Sequence, residues 1–130
     1  FRLKRQRLIR ALFDRERVDV FTRARGCIRI IYRVAARNEI GRNVPTQIGF
    51  SVSRKTAGAV RRNRIKRIMR EVYRVHQSDL VDLFLDRDDT LTLMILFRGD
   101  EDRAEDCIPD DLPHVLERIR RHLSGAVLPG

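Results

Sequence analysis

A helical pattern lies between two strand-like segments, and this order constrains the fold more than any other feature of the chain. Residues 46–53 alternate apolar and polar side chains, as a half-buried strand does. Residues 59–76 repeat their apolar side chains at helical spacing, and the predicted core positions are Ile65, Ile68, Met69, Val72 and Val75. Residues 90–98 are almost wholly apolar, which is typical of a strand buried on both faces. This succession predicts a mixed sheet packed against helices.

Further elements flank this unit on both sides. A short first helix is predicted from one apolar stripe, formed by Leu8, Ile9, Leu12 and Phe13. Residues 27–35 are rich in β-branched side chains and predict a strand, and another strand is considered within residues 18–26. Residues 99–110 are expected to form an acidic loop before a closing helix over residues 111–123. The predicted fold is an α+β two-layer sandwich of order α-β-β-(β)-α-β-α, with residues 1–130 in a single domain.

Charge is distributed unevenly along the chain. Residues 1–77 carry 22 basic and 5 acidic side chains, a net charge of +17, whereas residues 78–130 carry 6 basic and 13 acidic ones, a net charge of −7. Of the 28 cations, 25 are arginine, whose planar guanidinium suits phosphate groups. The segregation predicts a polyanionic partner for the basic part. A GC-rich genome or a salt-adapted surface is an alternative explanation of the arginine bias, but not of the segregation.

The central helical segment concentrates this basic charge. Residues 54–74 contain nine basic side chains and one acid, Glu71. A solvated helix face usually mixes signs, whereas an array of cations repels itself unless an anion binds. The pattern therefore predicts a surface that binds RNA phosphates. The residues predicted to form it are Arg54, Lys55, Arg62, Asn63, Arg64, Lys66, Arg67, Arg70 and Arg74.

The sequence offers little support for a catalytic site on the protein itself. The three histidines are not placed at metal-ligand spacing from a cysteine or a carboxylate. A solvated loop is the expected role of four clustered acids, and a nuclease metal cluster is the alternative: Glu101, Asp102, Glu105 and Asp106. We therefore expect no catalytic residue, no protein-bound metal and no small-molecule ligand.

The two cysteines and the charged amino-terminal residues bear on the cellular compartment. Cys27 and Cys107 cannot build a disulfide framework, and two buried thiols in a reducing cytosol are expected, although a single bridge is possible. The first ten residues are basic without an apolar stretch behind them, so no signal peptide is expected. No apolar run approaches the roughly 20 residues that span a bilayer. A cytoplasmic protein without a membrane partner is expected.

Two adjoining motifs resemble the signature of the bacterial ribonuclease P protein family. They are GFSVSRK at residues 49–55 and AVRRNRIKRIMRE at residues 59–71. The Arg-Asn-Arg core of the second motif, with its flanks, is far more specific than a generic basic helix. Residues of the predicted first helix and first strand also resemble the corresponding elements of that family.

The resemblance implies the protein subunit of a ribonucleoprotein endonuclease, which removes the 5′ leader from precursor tRNA. Catalysis would belong to an RNA subunit with bound Mg²⁺, and the basic helix would dock on that RNA. A cleft between the first helix and the sheet would hold the leader, and its lining would be Ile9, Phe13, Ile30, Tyr32 and Ser51. The family resemblance also implies a left-handed β-α-β crossover around the basic helix. The implied partners are the ribonuclease P RNA and precursor tRNA.

Two other classes of function are compatible with parts of the sequence. A non-enzymatic RNA-binding module, such as a ribosome-associated protein, needs basic residues but not the specific order of the Arg-Asn-Arg motif. A protein-only metal nuclease needs carboxylates or histidines that converge in a basic cleft. The acids of this chain lie mainly far from the basic helix in sequence, which disfavours that class.

Overall fold

Within the described part of the chain, four strands form one mixed sheet. The structure, a computed structural model, describes residue 3 and residues 6–41, 44–53 and 58–125. The strands are β1 (Val20–Arg25), β2 (Ile28–Ala36), β3 (Thr46–Val52) and β4 (Asp89–Phe97). Their order in the sheet is β1-β2-β4-β3. β2 is antiparallel to β1 and to β4, whereas β3 is parallel to β4.

Helices cover both faces of this sheet. The helices are α1 (Gln6–Leu12), α2 (Arg37–Ile40), α3 (Ala59–His76), α4 (Ser78–Phe84) and α5 (Ala104–Gly125), with a 3₁₀ turn at Glu101–Arg103. α3, α4 and α5 pack on one face, which we call the main face. α1 and α2 pack on the other, which we call the α1 face.

Strand alternation divides the core into two parts. On β4, Leu91, Leu93 and Ile95 point to the main face and are fully buried, while Met94 points to the α1 face. Both faces of β4 are therefore covered, which explains why its sequence is an unbroken apolar run. The smaller cluster on the α1 face includes Leu8 and Leu12, the buried residues of α1.

The predicted α+β class and mixed sheet are confirmed. The strand considered within residues 18–26 is present as β1, paired along its whole length with β2. The parallel pairing of β3 with β4 requires the chain to cross over through α3 and α4, as the β-α-β prediction states. The left hand of this crossover stays a prediction from the family resemblance.

The closing helix is longer than the sequence pattern predicts. It begins at Ala104 and includes Pro109 and Pro113, so the predicted loop over residues 99–110 is wrong in its second half. Proline normally disfavours a helix interior because it lacks an N–H and crowds the preceding turn. Here Ala104 and Ile108 are buried one turn apart, in line with Leu112. Packing of this stripe on the main face outweighs the local cost of Pro109.

The expectation of two separate thiols is also corrected. Cys27 and Cys107 are joined by a disulfide across a sequence separation of 80 residues. Cys27 precedes β2 and Cys107 lies in α5, so the bond ties the β1–β2 turn to the start of the closing helix. The two residues pack against the main core, as expected, but the sequence does not indicate that they meet.

None of the described helices is a candidate for a membrane-spanning segment. None of them combines the length and the apolar composition that a membrane-spanning helix needs.

Candidate RNA-binding surfaces

One side of α3 is anchored in the main core, and its other sides are basic. Ile65, Met69 and Tyr73 recur every four residues and are at most 4% exposed. The sequence pattern predicts a core position for Val75, but its side chain is 59% exposed. It lies about 200° around the helix from Tyr73, which takes the buried position instead. Burial raises the pKa of Tyr73 to about 12, so this phenol is neutral at physiological pH.

The helix holds most of the predicted RNA-subunit contacts in one rigid array. Asn63, Arg64, Arg67, Arg70 and Arg74 are exposed, whereas Arg62 and Lys66 are half-buried. The two remaining predicted contacts, Arg54 and Lys55, lie outside the described residues. A helix fixes the spacing of these cations, so less conformational entropy is lost on binding than from a flexible tail.

Acidic side chains neutralise the side of α3 that faces α5. Arg61 pairs with Glu101 and lies 3.3 Å from Asp102, and Arg64 pairs with Glu105. We call the segment that carries these three carboxylates, residues 100–106, the acidic segment. As the sequence predicts, Asp102 and Glu105 are largely solvated, with side chains 76% and 59% exposed. Glu101 is only 22% exposed, and the sequence does not predict that these acids pair with α3. No local pattern could have revealed the pairing, because about 40 residues separate the partners.

The opposite side of α3 keeps its basic character. Lys66 and Arg67 have no carboxylate within ion-pair distance among the described residues. Arg70 lies over the ring of Phe50 on β3, with its guanidinium carbon 5.6 Å from the ring centre. This contact orients the Arg70 guanidinium, and because the residue is exposed, the group stays accessible to a phosphate. The open side, which we define as Lys66, Arg67 and Arg70, is therefore the part of α3 best suited to bind phosphates.

A basic groove lies on the α1 face, next to the end of α1. Its volume is about 360 Å³, and its base is formed by Ile31 of β2 and Leu96 of β4. Its other lining residues include one acid, Asp14, and the arginines Arg15, Arg17 and Arg29. Phe13 also lines it, and the Phe13 side chain is 49% exposed. An exposed aromatic ring beside arginines is the combination that binds single-stranded nucleic acid through stacking and charge.

The structure divides the predicted leader cleft between two faces. Ile30 and Tyr32 are fully buried in the main core, under α5, and cannot line a cleft beside α1. The Tyr32 hydroxyl makes a hydrogen bond of 2.7 Å with His122 Nδ1 of α5. The prediction for these two residues is therefore corrected. The reason is strand alternation, since Ile31, one residue away, points to the α1 face instead.

The other predicted cleft residues lie on the α1 face. Phe13 lines the groove, and Ile9 packs at the edge of the smaller core cluster beside it. Ser51 is half-buried on β3, between Phe50 and Val52, which pack on the main core, so alternation turns Ser51 to the α1 face. Its register partner is Leu96, a groove residue. Arg29 and Ile31 also line the groove, although the sequence pattern did not assign them to it.

These features define a small α+β protein in which a strongly basic helix connects two parallel strands of a mixed sheet. The class is that of small α+β proteins with a rigid, strongly cationic surface helix. The chain belongs to the bacterial ribonuclease P protein family, because the family profile described as Ribonuclease P matches residues 1–119.

Curated relatives support the same membership through shorter alignments. The chain is 37% identical over 79 residues to the ribonuclease P protein component of Desulfovibrio desulfuricans, covering 60% of this chain and 57% of the relative. It is 40% identical over 55 residues to that of Natranaerobius thermophilus, covering 42% of this chain and 44% of the relative. The aligned stretch thus spans about half the length of these relatives.

Solved structures share the fold over nearly the whole chain. The ribonuclease P protein of Staphylococcus aureus superposes with a TM-score of 0.62 at 24% identity, covering 92% of this chain and 94% of that protein. That of Thermotoga maritima superposes with a TM-score of 0.56 at 18% identity, covering 100% and 99%. At these identities the likeness concerns the fold alone.

Proposed function

We propose that this chain is the protein subunit of a cytoplasmic ribonucleoprotein that cleaves the 5′ leader from precursor tRNA. In this proposal α3 binds the catalytic RNA subunit, and the groove on the α1 face binds the leader. The main observation in support of the proposal is the open side of α3. The chain that contains this helix matches the family profile over residues 1–119. Its cations are held at fixed spacing by a buried stripe, as phosphate docking requires.

Catalysis by the RNA subunit with Mg²⁺ is part of the same proposal. The carboxylates of the acidic segment that face α3 do not fit a magnesium site on the protein, because Glu101, Asp102 and Glu105 are already paired with arginines. Magnesium is usually held by one or two carboxylates together with phosphate oxygens and water. We therefore propose that RNA phosphates bind the catalytic Mg²⁺ ions and that no protein side chain takes part in the chemical step.

Reconstitution with a bacterial ribonuclease P RNA tests the proposed function. We expect this protein to increase cleavage of a precursor tRNA at low Mg²⁺ and to direct it to the mature 5′ end. The physical reason is that a cationic protein offsets phosphate repulsion that high salt or high Mg²⁺ otherwise screens. The measurement is the cleavage rate with the RNA alone, with the protein alone and with both. Asp106 is an exposed acid on α5, and the variant D106N tests whether a carboxylate of this region takes part in cleavage.

Each of the other outcomes identifies another class. Cleavage by the protein without RNA would contradict the assignment of catalysis and favour a protein-only nuclease. Binding of the RNA without any increase in cleavage would favour a non-enzymatic RNA-binding module. Full activity of D106N is expected under the proposal, whereas its loss would favour the nuclease.

The groove leads to a prediction about the leader. The variant F13A is expected to weaken binding of precursor tRNA by about 1–3 kcal/mol, and mature tRNA far less, if the ring stacks on a leader base. Phe13 is half exposed, so its removal should leave the fold intact. The measurement is the ratio of dissociation constants for the two tRNAs with the reconstituted enzyme.

A second exposed aromatic residue provides the control for this prediction. Phe21 is 37% exposed, and its ring centre lies 4.7 Å from that of His122 on the main face. The variant F21A is expected to leave the precursor-to-mature ratio unchanged, because its ring is on the wrong side of the sheet. Equal weakening of both tRNAs in F13A would show that the groove does not hold the leader.

A further inference from the structure

The disulfide fixes the part of the chain that carries the acidic segment. Cys107 lies two residues beyond Glu105 and is bonded to Cys27 beside the sheet. A carboxylate oxygen of Asp111, one turn later in α5, accepts a hydrogen bond of 3.1 Å from the Cys27 backbone N–H. Arg25 lies 3.5 Å from the other oxygen of the same carboxylate. The start of α5 is thus held to the β1–β2 turn by a covalent bond and two polar contacts.

The acidic segment is also organised internally. Asp100 caps the 3₁₀ turn, because its carboxylate accepts a hydrogen bond of 2.9 Å from the Asp102 backbone N–H. Ala104, near the end of the segment, is 2% exposed and packs on the main core. The carboxylates that pair with α3 are therefore held in position by their own backbone.

These carboxylates occupy the sites where RNA phosphates would bind. Arg64 belongs to the predicted RNA contacts, and Arg61 lies one turn before Ile65 on the same helix. The carboxylates occupy donors of these guanidiniums and repel a phosphate that approaches them, so RNA binds Arg61 and Arg64 more strongly once the carboxylates are displaced. Both arginines are more than half exposed, so each ion pair is weak on its own. The competition between these carboxylates and RNA phosphates therefore depends on how firmly the acidic segment is held in place.

We propose that Cys27 and Cys107 are a reversible redox site that controls this competition. In the oxidised form the acidic segment is held over Arg61 and Arg64, whereas in the reduced form it opens more easily and releases them to RNA. The inference rests on the proposed function of α3. It adds a redox dependence to RNA binding.

The oxidant is a small-molecule disulfide such as oxidised glutathione. A thiolate attacks one of its sulfurs, forms a mixed disulfide and releases one thiol. The second protein thiolate then attacks the protein sulfur, closes the Cys27–Cys107 bond and releases a second thiol. The protein loses two electrons and two protons, and the small disulfide gains both. Cys107 is half-buried and Cys27 only 7% exposed, so Cys107 is expected to react first.

A zinc site is the competing use of the same residues. The sulfur atoms of both cysteines and a carboxylate oxygen of Asp111 lie within 4.8 Å of one another. Structural zinc takes four protein ligands, and the Asp111 carboxylate is already engaged by the Cys27 N–H and by Arg25. The geometry therefore favours the disulfide.

The chemical half of the proposal is tested on the intact chain without RNA. The reduced protein is equilibrated with glutathione at a series of ratios and acid-quenched, and its mass and disulfide-linked peptides are determined. A 27–107 bond that forms and breaks reversibly is the expected result. Failure to form this bond would overturn the proposal. So would retention of one equivalent of Zn²⁺ by the reduced protein against a chelator.

The functional half is tested by RNA binding in both redox states. The reduced protein is expected to bind ribonuclease P RNA several-fold more tightly, with a log-salt slope steeper by about 1–2, since one or two more phosphates are neutralised. The variant C107S should behave as the reduced form under oxidant. In E101Q/D102N/E105Q, which removes the three carboxylates that pair with Arg61 and Arg64, oxidised and reduced forms should bind equally, whereas the charge-matched control D82N/D106N/D110N should keep the difference.

The outcomes separate this inference from the proposed function. Equal affinity and equal salt slope in the two redox states of the unmodified protein would overturn the inference alone. Absence of RNA binding in both states would overturn the proposed function and the inference with it. A redox effect that persists in E101Q/D102N/E105Q would show that the disulfide acts elsewhere, and it would also overturn the inference.

Discussion

Replacement of Lys66, Arg67 and Arg70 together by alanine is expected to weaken binding to the catalytic RNA by about 100- to 1,000-fold. These residues form the open side of α3, where no carboxylate of the described chain competes for them. A hydrogen bond to a charged group contributes about 1.5–3 kcal/mol, so partial loss of that energy at three positions accounts for this range. Replacement of Arg61 and Arg64 by alanine should weaken RNA binding less. In the unmodified protein these two arginines must first separate from the acidic segment, and the loss of those ion pairs offsets part of their interaction with RNA.

The salt dependence distinguishes fewer neutralised phosphates from a damaged fold. The log-salt slope should fall by about 2–3 in the triple variant, at roughly 0.7–0.9 for each phosphate that the protein no longer neutralises. The matched control removes three arginines from α5, at Arg118, Arg120 and Arg121, and should change the slope little. An unchanged slope in the triple variant, with its helical content intact, would contradict docking through α3.

Replacement of Tyr32 by alanine is expected to lower the free energy of unfolding by about 3–5 kcal/mol. The side chain is fully buried between the sheet and α5, so truncation leaves a cavity in the main core. Replacement by phenylalanine removes the hydrogen bond to His122 and keeps the ring, so it should cost only about 0.5–1.5 kcal/mol. Burial raises the pKa of the Tyr32 phenol, so it is neutral at physiological pH and retains its proton for that bond.

This pair of variants decides between the buried position of Tyr32 in the structure and its predicted place in the leader cleft. Urea unfolding gives the free energies, and the precursor-to-mature ratio of the reconstituted enzyme reports on the leader cleft. Y32F should leave that ratio unchanged, while F13A should alter it. A stable Y32A protein with a selective loss of precursor binding would contradict the buried position and return Tyr32 to the leader cleft.

The sequence pattern predicts the surroundings of α3 better than those of β2, for a physical reason. In α3 the stripe of Ile65 and Met69 and the basic residues follow one helical period, so both the helix and its cationic surface were predictable. In β2 the alternation correctly separates Tyr32 from its neighbours, but β2 is covered on both faces. Alternation predicts which residues share a face of the sheet, but it does not predict which helix covers that face.

The types of elements, the basic helix and the family could all be predicted from the sequence, because they depend on residues that are neighbours along the chain. Three other features emerged only from the packed fold. It places Ile31 rather than Tyr32 under α1, sets Glu101 against Arg61 and joins Cys27 to Cys107. The ion-paired partners are 40 residues apart in sequence and the bonded cysteines 80. Such contacts arise from the packing of whole elements, which no local pattern of side chains encodes.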